Sequence, residues 1–237
     1  MTQRLREGHT AAPYLPERGG LPTLRRAAAG CRGCPLHENA TQTVFGAGTR
    51  SARIMLIGEQ PGDQEDVQGH PFVGPAGRLL HKALAELGIE ERNTYLTNAV
   101  KHFKFSQEDP SKRRIHKAPD LHEMTACRPW LVAELKAVDP DVVVALGATA
   151  GKALLGSSFR VSEQRGILLT APPWDELGHS LDEDGTSGRK PKDHQASRSL
   201  VCTIHPSAVL RADDRKSAYA GLLSDLGVAA AVLTQLM

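Results

Sequence analysis

A single histidine, His116, stands in the stretch Ser111–Pro119, SKRRIHKAP, among four cations: Lys112, Arg113, Arg114 and Lys117. Positive charge around an imidazole favours its neutral form, whose ring nitrogen can accept a proton, bind a metal or attack carbon. The same residues also read as a solvated basic loop that does no more than touch phosphates. A second chemically able group is Glu59, Gln60 and Asp63 in GEQPGDQED, where Gly58 and Gly62 let a ligand approach the backbone closely. Asn98, in NAVKHFK, offers an amide donor and acceptor side by side, and His205, in HPSA, opens a turn that Pro206 initiates. Singly, each has an ordinary explanation: Asn98 caps a turn, His205 is a satisfied core histidine, Glu59 pairs with an arginine.

The cysteines are Cys31, Cys34, Cys127 and Cys202. CRGCPLH lacks the preceding strand and following apolar helix of a thioredoxin-like redox site, and its Gly and Pro suit a tight metal-binding knuckle. A disulfide framework is not expected in a reducing cytosol, so two further ligands must come from elsewhere. Cys202, in the apolar run LVCTIHP, is the rival ligand and reads better as a small buried hydrophobe.

The elements that must position these residues alternate. Apolar runs at Arg53–Gly58, Asn93–Val100, Asp141–Gly147 and Leu200–Pro206 read as four buried parallel strands. Helical spacing follows at Gly74–Gly88, Leu121–Val138, Ala148–Gly156 and Ser217–Leu233, so the expected class is α/β: three layers, α/β/α, around a mostly parallel four-stranded sheet. In such a sheet a site lies beyond the carboxyl ends of the strands, which selects Glu59, Asn98, the GATA turn and His205 together. Residues 1–20 read as a mobile lead-in, 21–237 as a single domain, and 172–197 as a polar surface loop. At 237 residues, 40% hydrophobic and 24% charged, with a net charge of +2, the chain suits a soluble protein. That charge is too small to announce a nucleic-acid binder, but the basic residues of 101–117 would meet an anionic partner. A start without an apolar segment, and no long uncharged apolar run, imply a cytoplasmic protein without a membrane partner.

GEQPG after a strand, PFVGPAG, NAVK, the ACRPWL helix and HPS, in that order from about Leu21 onward, resemble the uracil-DNA glycosylase superfamily, most closely its iron–sulfur family 4. KRRIH, and Gln60 where family 4 commonly has Ala, resemble the UdgX branch, whose members become covalently linked to the uracil-containing DNA they act on. The resemblance implies that fold and a base flipped into a pocket. Asn98 would read the uracil edge, Phe72 would stack on the base, and Gly58 and Gln60 would line it, with Asp63 and Gly62 completing the pocket. The rival role for Phe72 is plain core packing. His205 would donate to uracil O2 as charge develops, Glu59 would stabilise the sugar cation, and His116 would attack C1′. Lys112, Arg113, Arg114, Lys117 and Ser207 would contact the DNA, single-stranded in preference, and the protein would act as a monomer. Cys31, Cys34 and Cys127 match three ligands of a [4Fe–4S] cluster; His102 stands where the family has the fourth cysteine, so either its imidazole ligates or one iron stays open. Three alternatives remain at this point: an ordinary turnover glycosylase of family 4 type, a non-catalytic nucleic-acid-binding iron–sulfur protein, and a redox protein.

Overall fold

Alternation along the strands decides the layering. The structure is a computed structural model that describes residues 8–109, 111–174, 176–177 and 198–235. Its strands are β1 (Ala47–Gly48), β2 (Ile54–Gly58), β3 (Thr94–Asn98), β4 (Phe105–Ser106), β5 (Ile115–His116), β6 (Val142–Leu146), β7 (Leu168–Thr170) and β8 (Ser199–Thr203). The helices are α1 (Leu21–Ala28), α2 (Asp63–Gln68), α3 (Pro75–Glu86), α4 (Leu121–Val138), α5 (Ala148–Leu155), α6 (Val161–Gln164), α7 (Pro206–Arg211) and α8 (Arg215–Gln235). Six strands form the main sheet in the order β1-β3-β2-β6-β8-β7, and β4 and β5 pair separately as a hairpin.

The four expected strands are the central four, and all run parallel. Met55, Ile57, Val143 and Ala145 point to one face, under α1, α4 and α5. Ile54, Leu56, Val142 and Val144 point to the other, under α3, α7 and α8. The three-layer expectation therefore holds, while the strand count of four does not: β1 and β7 add antiparallel edges. Neither has a legible pattern. β1 is two residues long and β7 three, with Leu168 51% exposed, so neither is long or apolar enough to leave a pattern in the sequence.

By length and composition α8 could cross a membrane. Here it lies along β6 and β8, with Leu222, Leu226 and Ala229 in the core and buried Asp225 held by Arg165 and Thr203. The expected mobile lead-in is docked from Ala11 onward: Ala11 is buried and its N–H donates to Ala126 O at 2.8 Å. The expected surface loop begins with buried Trp174 and Leu177, and its remainder, 178–197, lies outside the described residues.

Between the sheet and α4 sits an ion pair of Lys101 and Glu134, both inaccessible to solvent. The Glu134 carboxylate also accepts from Gly46 N–H, Tyr95 OH and Thr97 OH, and the Lys101 ammonium donates to Thr97 Oγ1 and to Asn98 O, each at 2.7 Å. Every strong donor and acceptor around the pair is met, the condition under which a buried pair is tolerated. Lys101→Met leaves a buried carboxylate without its countercharge, and chemical denaturation should read a loss of about 3–5 kcal/mol. Adding Glu134→Gln should return most of that loss.

Candidate functional site

The parallel strands end at one edge, and the residues that follow them meet there. Gly58 and Asn98 are directly paired at the ends of β2 and β3. A Cβ at Gly58 would strike Asn98 Oδ1 and come 2.7 Å from Phe72 Cζ, so the missing side chain lets amide and ring close on one point. Phe72 is buried and takes φ 58°, a left-handed conformation that costs a bulky residue about 1–3 kcal/mol. Two neighbours hold it there. Gly77 packs against its carbonyl too closely for any Cβ, and buried Glu65 accepts the N–H of Gly74 at 2.9 Å. The Phe72 and His205 rings then lie nearly parallel, 6.4 Å apart.

His205 caps α7, and its Nδ1 accepts the Ser207 N–H at 3.1 Å. A nitrogen that accepts a backbone N–H carries a lone pair, so the neutral ring keeps its proton on Nε2. Burial holds the pKa of His205 down to about 4, against the upward pull of Glu59, so the ring is neutral near pH 7. The hydroxyl of Ser207, expected on DNA, lies 2.8 Å from the same Nδ1.

Glu59 has the opposite environment. Burial pushes its pKa up, but His116, a hydrogen bond from Thr149 and the field of His205 outweigh burial and leave it below the usual value. One carboxylate oxygen accepts from Thr149 Oγ1, and the other faces His116 Nε2 at 3.3 Å. His116 is half exposed and sits on β5 opposite Phe105.

The hairpin that carries His116 is fastened at two places. Gln60, expected against the base, is a staple: its amide N–H groups donate to Lys104 O and Lys117 O, and its oxygen accepts from Lys104 N–H, all within 3.1 Å. Arg114, expected on phosphate, is a tether. It meets Asp63 and buried Asp66 at 2.6 Å each and lies over the rings of Phe103 and Phe105. Asp63 is thereby bound to the hairpin with its side chain half exposed, and Gly62 packs beside Glu65. Lys112, Arg113 and Lys117 are exposed. The first two line an open groove of about 710 Å³ together with Glu108, Arg114, Ile115 and His116.

Behind the site, Cys31, Cys34 and Cys127 are free, buried thiols. Burial pushes Cys34 up to about 11 and Cys127 up to about 12; Cys31 raises both, and Cys34 adds to the rise at Cys127, so the three thiols are near neighbours. N–H donors point at two of them: Trp130 Nε1 at 3.2 Å and Gly33 N at 3.4 Å to Cys31 Sγ, and Lys101 N at 3.2 Å to Cys127 Sγ. Among the described residues no three His, Cys, Asp or Glu side chains converge on a single ion's position. Three buried thiols with N–H groups directed at two of the sulfurs are the donor chemistry that an iron–sulfur cluster takes. Buried His102 has Nε2 2.9 Å from Thr43 Oγ1, which leaves Nδ1 as the nitrogen able to ligate. Burial and His37 hold its pKa down to about 4, so it is a neutral donor. Cys202 stands apart in β8.

Glu65 and Asp66 work here without a site role read from the sequence, and Thr149 and Lys101 lay within the GATA turn and the basic 101–117 run without a role of their own. A hydroxyl two residues past Gly147 was the available sign for Thr149. Glu65 and Asp66 belong to an acidic run that reads as surface charge until the fold buries it.

Residues 45–227 match the family model described as the uracil DNA glycosylase superfamily. A type-4 uracil-DNA glycosylase of Thermotoga maritima is 37% identical over 182 residues, covering 76% of this chain and 78% of the relative. Relatives of the same name from Pyrobaculum aerophilum and Archaeoglobus fulgidus are 36% and 29% identical, over 81% and 87% of this chain and 85% and 92% of their own.

If Arg114 tethers the hairpin, Arg114→Gln frees buried Asp66 of its partner and loosens the β4–β5 arm. Amide hydrogen exchange should quicken at 104–117 by tenfold or more, on the order of one lost charge-assisted bond, while β2, β3, β6 and β8 keep their protection.

Proposed function

The chain belongs to the uracil DNA glycosylase superfamily, and we propose that it excises uracil from DNA and then bonds the abasic sugar to His116. The single observation behind this is the meeting of Glu59, Phe72, Asn98 and His205 at the strand ends with His116 held 3.3 Å from Glu59. The named activity of the type-4 relatives supports excision, and the fastened KRRIH hairpin supports linkage.

The uracil nucleotide leaves the stack and enters the pocket beside Phe72. Asn98 accepts from N3–H and donates to O4; cytosine reverses both atoms and leaves buried groups unpaired, at roughly 1–3 kcal/mol each. As the C1′–N1 bond breaks, the electron pair goes to uracil, and His205 Nε2–H donates to O2, a contribution of ~2.7–4 kcal/mol to the barrier. Ionised Glu59 stabilises the sugar cation. One His116 nitrogen gives its lone pair to C1′, and the ring's remaining N–H proton passes to Glu59 or water. The resulting C–N bond does not readily break. Lys112, Arg113 and Lys117 hold phosphates along the groove, with single strands preferred because an unpaired base is flipped at lower cost. Turnover by water in place of His116 is the rival, and it differs from linkage at that one step.

We also propose that Cys31, Cys34, Cys127 and His102 hold a [4Fe–4S] cluster. When bound, it cross-links the segment before β1, the turn after β3 and α4 through metal–ligand bonds.

Protein mixed with uracil-containing single-stranded DNA should give a DNA-linked band that survives boiling in detergent; thymine DNA should give none. His116→Ser should release uracil with a free abasic site and no such band. A persisting band would assign the bond to another residue, and uracil released by the wild type without any band would establish turnover. Glu59→Gln should slow release and linkage together, because the cation loses its countercharge before either nucleophile acts.

Anaerobically purified protein should be brown and contain about four irons per chain. Cys127→Ser should lose both colour and thermal stability, and colourless, active, zinc-only protein would overturn the assignment.

A further inference from the structure

The first turn of α5 holds a group that the excision scheme does not use. The helix follows Gly147, whose φ of 90° turns the chain at the end of β6. A threonine at a helix start ordinarily turns its hydroxyl onto the backbone, yet the N-cap here is Gly147, and no side chain caps the helix. The Thr149 hydroxyl reaches instead across ninety positions of sequence to Glu59 Oε2. The other carboxylate oxygen, Oε1, is the one that faces His116 Nε2 at 3.3 Å.

We propose that Thr149 is a positioning residue for Glu59, so that hydroxyl, carboxylate and imidazole form one row from α5 through the end of β2 to the hairpin. The assignment rests on the uracil-excision reading given above. A glutamate side chain rotates freely about its terminal bonds, and a donor fixed to one oxygen aims the other. The rigid element is α5, packed by buried Ala150, Ala153 and Leu154, whereas His116 is carried on a half-exposed hairpin. Thr149 therefore sets the carboxylate from the immobile side, and the hairpin brings its imidazole to an oxygen already in place. The groups facing Glu59 are Thr149, His116 and His205. All three favour the ionised carboxylate, and burial alone opposes it.

Loss of the hydroxyl should let the carboxylate turn and raise its pKa. Thr149→Val keeps the shape and removes the donor; Thr149→Ser keeps the donor. Single-turnover uracil release and DNA linkage should be followed from pH 4 to 8 for wild type and both variants, with melting temperatures measured alongside. Thr149→Val is expected to melt with the wild type and bind uracil-free DNA as tightly. It should react about tenfold or more slowly, with the acid limb of its rate profile displaced to higher pH, and Thr149→Ser should return near the wild type. A ¹³C titration of the Glu59 carboxyl, which needs no activity, should show a higher midpoint in Thr149→Val. Wild-type rate, profile and midpoint in Thr149→Val would overturn the proposal, and so would a Thr149→Ser variant as impaired as Thr149→Val. A wild type that releases no uracil would refute the excision reading, and the carboxyl titration would still decide the role of Thr149.

Discussion

The site hangs on the buried pair of Lys101 and Glu134. The carboxylate comes from the middle of α4 and gathers donors from Gly46, Tyr95 and Thr97, while the ammonium grips the carbonyl of Asn98. The pair therefore decides where β3 ends and how the following turn leaves the sheet. That turn carries the Lys101 N–H onto Cys127 Sγ and His102 toward Thr43. Asn98 at the strand end and the thiol region behind it are two sides of one charged knot. Such a pair adds little net stability, but it admits few alternative arrangements of the groups it ties.

On the other side, two titratable groups have their pKa values lowered together and so rest in opposite charge states. His205 is held neutral by burial, with its proton directed to Nε2 by Ser207. Glu59 is held ionised by donors that overcome its burial. In the proposed excision, a donor for a developing anion and a carboxylate for a developing cation are thus both in place beforehand, and neither has to change protonation to act.

The central strands, four of the helices and the strand-end residues were legible because they obey strong local rules: apolar runs closed by glycine, helical spacing, and polar residues just past the strands. What escaped depends on contacts distant in sequence. Gln60 lies two residues past β2, where a base contact was the natural reading, and only the fold reveals Lys104 and Lys117 within its reach. Arg114 looks like its exposed neighbour Arg113 until Asp63 and Asp66 are placed beneath it. The edge strands β1 and β7 are too short or too exposed to leave a periodic trace.

The Gln60 staple closes the β4–β5 arm at its root, so His116 takes its position from the pocket floor and not from the arm's outer end. Gln107, Glu108 and Asp109 at that outer end are exposed. Glu108 at that end lines the same groove as Lys112, Arg113 and His116, so a change of charge there alters what an anionic partner meets in the groove while the staple keeps its hold on the root of the arm.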